Sequence, residues 1–229
     1  FPTLAALAAA PTDDVLAHWA GLGYYARARN LQRCAQQIVA EHGGEFPRDI
    51  ETLTALPGIG RSTAGAILTQ AFGQRHAILD GNVRRVLARY VAIDGWTGTP
   101  AVQKKLWALA EQLLPDARLA DYTQAIMDLG ATVCTARKPR CADCPVHDDC
   151  RAYQSDDGPR YPAPKPKTER PLRERWLLLI ENKQGEILCE RRPPSGIWGG
   201  LWCPSLYDTD GNWVTIAREQ YGLRCTPPE

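Results

Sequence analysis

Apolar positions recur at helical intervals through the first two-thirds of the chain. Ala64, Ile67, Leu68 and Ala71 share one helical face. Val83, Val86, Leu87 and Tyr90 repeat the spacing, and Val102, Leu106, Leu109 and Leu113 extend it. Gly43-Gly44, Pro57-Gly58, Gly73 and the stretch from Gly95 to Pro100 punctuate these faces and predict short loops between successive helices. The pattern changes after Arg151. Ser155 to Pro171 carries Pro159, Pro162, Pro164 and Pro166 among charged residues, a composition that reads as an extended linker. Beyond it, Trp176 to Ile180 and Glu186 to Cys189 read as strands joined by a turn over Asn182 to Gly185, and Trp213 to Tyr221 reads as a helix. The tail is therefore expected to begin an α+β domain that Glu229 leaves incomplete.

A chain of 229 residues is long enough for more than one compact unit. The net charge of +1 does not by itself mark a nucleic-acid binder. Arg27, Arg29 and Arg33 crowd one segment, and Arg84, Arg85 and Arg89 another. Charge alone favours solvated helix faces, with a stripe along a phosphate backbone as the alternative. No run is apolar and long enough to span a membrane, and nothing at the start resembles a signal peptide. Met127 is the one methionine and the chain begins Phe1-Pro2, so the natural start is expected upstream. Of eight cysteines, four fall between Cys134 and Cys150, while Cys34, Cys189, Cys203 and Cys225 are scattered. That distribution argues against a disulfide-laced secreted domain and for a reduced cytosolic protein with one metal site.

Three features carry chemistry. Leu56-Pro57-Gly58-Ile59-Gly60 joins two helical patterns, and its two glycines permit a tight turn with positive φ. The next helix is expected to begin at Arg61-Ser62-Thr63. Its first N–H groups lack intrahelical partners and would meet an anion such as a DNA phosphate. Cys134, Cys141, Cys144 and Cys150 are spaced C-x6-C-x2-C-x5-C. Four thiolates so close together suit zinc or a cubane iron–sulfur cluster, and spacing alone leaves both open. The cysteine loop also presents Arg137, Lys138 and Arg140 to a phosphate backbone. Asp80, in Ile78-Leu79-Asp80-Gly81-Asn82, is well placed to cap the following helix. Its order between hairpin and metal loop also suits a carboxylate that stabilises a sugar cation as a base departs.

These features, in this order, resemble the helix-hairpin-helix DNA glycosylases. Gly21-Leu22-Gly23-Tyr24-Tyr25-Ala26-Arg27-Ala28-Arg29-Asn30-Leu31 and Pro193-Pro194-Ser195-Gly196-Ile197-Trp198-Gly199-Gly200-Leu201 narrow the likeness to the adenine DNA glycosylase (MutY) family. The resemblance implies a mainly α fold: a six-helix barrel domain with the hairpin over residues 1–76 (lacking its N-terminal part) and an iron–sulfur cluster domain over 77–152. A linker over 153–173 and a truncated α+β Nudix-like domain over 174–229 would follow. It implies a monofunctional, cytoplasmic, nucleoid-associated bacterial enzyme. Such an enzyme acts as a monomer, without a membrane, on duplex DNA containing A:8-oxoguanine or A:G mispairs.

By the same resemblance, Asp80 stabilises the sugar cation, Asn82 positions it, and Tyr24 wedges into the base stack. Arg27, Gly58, Gly60, Arg61, Ser62 and Thr63 contact DNA, and Cys134, Cys141, Cys144 and Cys150 hold a [4Fe–4S] cluster. Ser62 occupies the position where the related endonuclease III-type glycosylases carry a lysine that attacks the sugar, and a serine cannot form a Schiff base. Glu219, Gln220 and Gly222 are a remnant of a Nudix box, implying a binding domain without hydrolase chemistry. The family's catalytic glutamate is expected before Phe1 and its 8-oxoguanine-contacting Ser/His loop beyond Glu229. These 229 residues alone are therefore expected to have little or no activity. Three other readings are an endonuclease III-like oxidised-pyrimidine glycosylase and lyase, a non-catalytic DNA-scanning protein, and a zinc adaptor.

Overall fold

The computed structural model describes residues 1–156, 160–169, 171–208 and 211–226. Eight α-helices lead the chain: α1 (Leu4–Ala9), α2 (Thr12–His18), α3 (Ala26–Glu41), α4 (Ile50–Ala55), α5 (Arg61–Phe72), α6 (Gly81–Tyr90), α7 (Pro100–Gln112) and α8 (Leu119–Asp128). A π-helical turn (Leu129–Val133), a 3-10 turn (Cys141–Asp143) and α9 (Arg151–Gln154) follow. Then come β1 (Trp176–Leu178), β2 (Glu190–Arg191), β3 (Trp202–Cys203), β4 (Ser205–Tyr207) and α10 (Trp213–Tyr221). Among the described residues no helix is long and apolar enough to cross a membrane.

The chain divides into two compact units. The first holds Phe1–His18 and Arg27–Lys167, and the second holds Trp19–Ala26 and Thr168–Glu229. The first unit has two apolar cores. Cys34, Ile38, Leu53, Leu56, Ala64 and Leu68 bring α3, α4 and α5 together. Ile78, Leu79, Val83, Leu87, Val102 and Leu106 bring α6 and α7 together. Ala64, Leu68, Val83, Leu87, Val102 and Leu106 are positions the helical periodicity singles out, and each fully buried leucine contributes about 1.5–3 kcal/mol by leaving water. Pro100 begins α7, where its missing N–H costs nothing. Gly73 ends α5 in the left-handed conformation.

The proline-rich stretch is not free along its length. Tyr161 is buried, Arg160 pairs with Asp94 at 3.0 Å, and Lys165 lies 5.8 Å from the Trp96 ring. Residues up to Lys167 thus belong to the first unit, whereas Pro159 lies outside the described residues.

In the second unit β1 pairs antiparallel with β4, Leu177 opposite Leu206, and β2 pairs with β3, Glu190 opposite Cys203. Helix α10 has the expected bounds, capped by Asn212 and ended by Gly222. The expected strand at Glu186 to Cys189 is not one. The turn before it forms, with Asn182 N donating to Glu186 O at 2.9 Å, but beyond one bridge between Glu181 and Ile187 no ladder follows. Residues 186–189 are all exposed, so no buried face holds them in register.

Candidate functional site

The hairpin forms between α4 and α5. Asp49 caps α4, its carboxylate accepting from Thr52 N at 2.7 Å, and this bond holds its pKa below the ordinary carboxylate value. Only one of the two glycines has positive φ. Gly58 sits at φ +80, and a Cβ there would lie 2.9 Å from Cβ of Asn30. Gly60 instead is extended (φ −92, ψ 171) as the N-cap of α5, where it supplies no side-chain cap. The opening N–H groups of a twelve-residue helix are thereby left without a side-chain partner, the arrangement that suits a phosphate. Thr63 is exposed beside them. The Arg61 guanidinium pairs with Glu111 and lies 3.9 Å from the Trp107 ring centroid, so the backbone is what this position offers an anion.

Ser62 joins the hairpin to the candidate acid. Its hydroxyl accepts a hydrogen bond from Leu79 N at 3.0 Å, fixing the residue just before Asp80 against the first turn of α5. Gly65 allows the same approach one turn on, since a Cβ there would meet the Ala77 carbonyl oxygen at 2.5 Å. Asp80 is half-buried and is the N-cap of α6, with Oδ1 accepting from Val83 N at 2.8 Å. Capping and a second role are compatible, because one oxygen serves the helix and the other remains.

The arginines of α6 are neither a solvated face nor a phosphate stripe. Arg84 Nε donates back to the Leu79 carbonyl at 3.1 Å. Arg85 donates to Asn82 Oδ1 at 2.8 Å, to the Gly130 carbonyl at 2.5 Å and to the Cys134 carbonyl at 2.7 Å. Arg89 is buried, with Nη1 donating to the Thr135 carbonyl at 2.8 Å and to Cys134 Sγ at 3.3 Å. Asn82, Arg85 and Arg89 fall at i, i+3 and i+7, one polar face of a helix whose other face is core. A single helix thus runs from the candidate acid to the cysteine segment. That spacing is visible in the sequence, but nothing in it says what covers the polar face.

Cys134, Cys141, Cys144 and Cys150 line one cavity together with Arg89 and His147, and all four are free thiols. Burial pushes the Cys141 and Cys144 thiols up, and neighbouring cysteines add to the rise. Four crowded thiols resist ionising together unless a cation is shared among them, so they fit a bound metal group. Among the described residues no three His, Cys, Asp or Glu side chains are close enough to hold a single metal ion. Sulfurs spread around one cavity match the larger body of a cluster better than one zinc.

Tyr24 belongs to the second unit. It lies in a loop where Gly21, Gly23 and Tyr24 all have positive φ and Trp19 Nε1 donates to the Gly23 carbonyl at 2.9 Å. Tyr24 is 84% exposed, which excludes a core role. Arg27 is exposed on the first turn of α3.

Hairpin, capped acid and cysteine cavity occur together in one class of proteins, which comparison with known proteins identifies. A profile for HhH-GPD superfamily base excision DNA repair proteins matches residues 1–112, and one for the iron-sulfur binding domain of endonuclease III matches residues 134–150. Among solved structures, a thermostable thymine-DNA glycosylase aligns at TM-score 0.58 and 28% identity, over 68% of this chain and 71% of that one. A non-covalent endonuclease III–DNA complex aligns at 0.57 and 27%, over 68% and 72%. Adenine DNA glycosylase of Buchnera aphidicola (subsp. Schizaphis graminum) is 38% identical over 91% of this chain and 60% of its own length. The human adenine DNA glycosylase is 52% identical over 67% of this chain and 28% of its own. The chain belongs to the adenine DNA glycosylase (MutY) family of the HhH-GPD superfamily. It spans 60% or less of the length of these two relatives.

Proposed function

We propose that this chain is the DNA-gripping and charge-stabilising part of an adenine DNA glycosylase that removes adenine from A:8-oxoguanine and A:G mispairs in duplex DNA. The observation that carries this is the link between Ser62 and Leu79, which sets Asp80 against the start of the uncapped helix α5. A phosphate held by the N–H groups after Gly60 would bring its own strand's sugar toward that carboxylate. With one oxygen on Val83 N, Asp80 keeps a fixed direction, and its charge offsets the positive charge that grows on deoxyribose as adenine leaves. Asn82, held by Arg85, steadies the same turn. Tyr24 enters the stack from its exposed loop and favours the flipped base, at a cost of about a few kcal/mol that is least at a mispair. Arg27 and Thr63 add backbone contacts.

The four cysteines would hold a [4Fe–4S] cluster, which when bound braces the loop carrying Arg137 and Lys138 against the phosphate backbone. Residues 174–229 belong to a Nudix-like domain that reads the 8-oxoguanine without hydrolysing nucleotides. The protein works as a monomer in the cytoplasm. We infer boundaries near residues 76, 152 and 173 between barrel, cluster domain, linker and C-terminal domain.

The likeness to endonuclease III structures favours a second reading, an oxidised-pyrimidine glycosylase with strand-cleaving activity. Ser62 weighs against it, since its hydroxyl is committed to Leu79 and cannot form an imine. The two part on one experiment with the intact gene product. Duplexes carrying A:8-oxoguanine or thymine glycol are incubated with borohydride. Adenine release without a trapped adduct supports the glycosylase proposed here, and a trapped adduct on thymine glycol supports the alternative.

A further inference from the structure

A guanidinium is always charged, and burying it without an anion is unfavourable. Arg89 is 4% exposed. Its Nε donates to the Tyr161 carbonyl at 2.8 Å, and Nη1 and Nη2 donate to the carbonyls of Thr135 at 2.8 Å and Ala136 at 3.2 Å. All three are neutral acceptors. Among the described residues no carboxylate pairs with it. Its remaining contact is Cys134 Sγ at 3.3 Å, and Cys150 Sγ lies 3.6 Å from its own carbonyl oxygen. The groups within reach that metal binding would turn into anions are the sulfurs of the metal-binding segment, and Arg89 shares a cavity wall with all four cysteines.

We propose that Arg89 is the counter-ion built into the fold for the cluster's Cys134 thiolate, positioning that ligand and raising the cluster's reduction potential. The proposal rests on the cluster reading above. A fixed positive charge beside a sulfur ligand favours the state with one more electron, and its removal disfavours that state. The same guanidinium clasps residues 134–136 and Tyr161, on either side of the other three ligands, so its charge is tied to loop closure as well.

The test compares wild type, Arg89→Lys and Arg89→Gln by iron per chain, visible absorbance and one-electron midpoint potential in film voltammetry. Lysine keeps the charge and loses the fork; glutamine keeps a donor and loses the charge. Arg89→Gln is expected to shift the cluster's redox equilibrium about tenfold toward the oxidised form, or about 59 mV negative, or to lose its iron outright. Arg89→Lys is expected to retain iron and stay within about threefold of wild type. An unmoved or positive-going potential in a fully loaded Arg89→Gln protein overturns the proposal. Equal losses in both variants also overturn it, because geometry rather than charge would then be the cause. A wild-type protein without iron refutes the cluster reading, and this inference with it.

Discussion

Gly130 is where the cysteine side of the fold presses on the acid side. It is buried in the π-helical turn, and a Cβ there would sit 2.7 Å from Cβ of Asn82 and 3.0 Å from its carbonyl atoms. Ordinary contact begins near 3.4 Å, so Gly130→Ala must drive the turn and the start of α6 apart by about 0.7 Å. Overpacking of this kind costs about 1–3 kcal/mol. The movement falls on Asn82, two residues from Asp80, and loosens the bonds from Arg85 that tie Asn82 to the Gly130 carbonyl. Misplacing a catalytic group by about 1 Å can cost about 100-fold in rate, so a loss of about tenfold or more is expected here. Thermal melting and single-turnover adenine release from an A:8-oxoguanine duplex, both on the intact gene product, measure the two effects. A variant that melts with wild type and releases adenine within twofold of its rate would show that Asn82 and Asp80 do not depend on this contact.

The two hairpin glycines should separate: Gly58→Ala meets both positive φ and Asn30, costing about 1–2 kcal/mol and weakening duplex binding in a filter assay. Gly60→Ala, extended and with open space around it, should meet no clash and lose only the N-cap preference for glycine over alanine, about 1 kcal/mol or less. The depressed pKa of Asp49 means that its cap stabilises α4 above the ordinary value of 3.8 and fades as pH falls through the lower folded-state value. Acid titration of stability in Asp49→Ala should therefore lack that loss. Chelating the iron of the proposed cluster should expose residues 134–156 to proteolysis before the α3–α5 core, because the cluster would tie the four cysteines together and Arg89 alone would then hold that segment.

Helices α5, α6 and α7 are legible because their apolar positions repeat at helical intervals over two to three turns. The acid and the cysteines were legible because few residue types do their chemistry and their order along the chain was distinctive. Other features depended on long-range partners. Arg61 finds Glu111 fifty residues away, and Arg89 finds Tyr161 seventy-two residues away. No local pattern distinguishes such an arginine from a solvated one. Which of the two hairpin glycines takes the positive φ is not legible, because glycine permits that conformation without requiring it. The strand at 186–189 was misread because an apolar run forms a ladder only where one face is buried.

The negative charge of Asp80 is the centre of the proposed chemistry. Asparagine caps a helix as well as aspartate does, so Asp80→Asn keeps α6 and removes only the negative charge. Single-turnover adenine release from an A:8-oxoguanine duplex, with binding measured on the same samples, isolates that charge. Release should fall by about 100-fold or more while the duplex is bound at least as tightly as by wild type. Release at the wild-type rate would leave Asp80 a helix cap and nothing more.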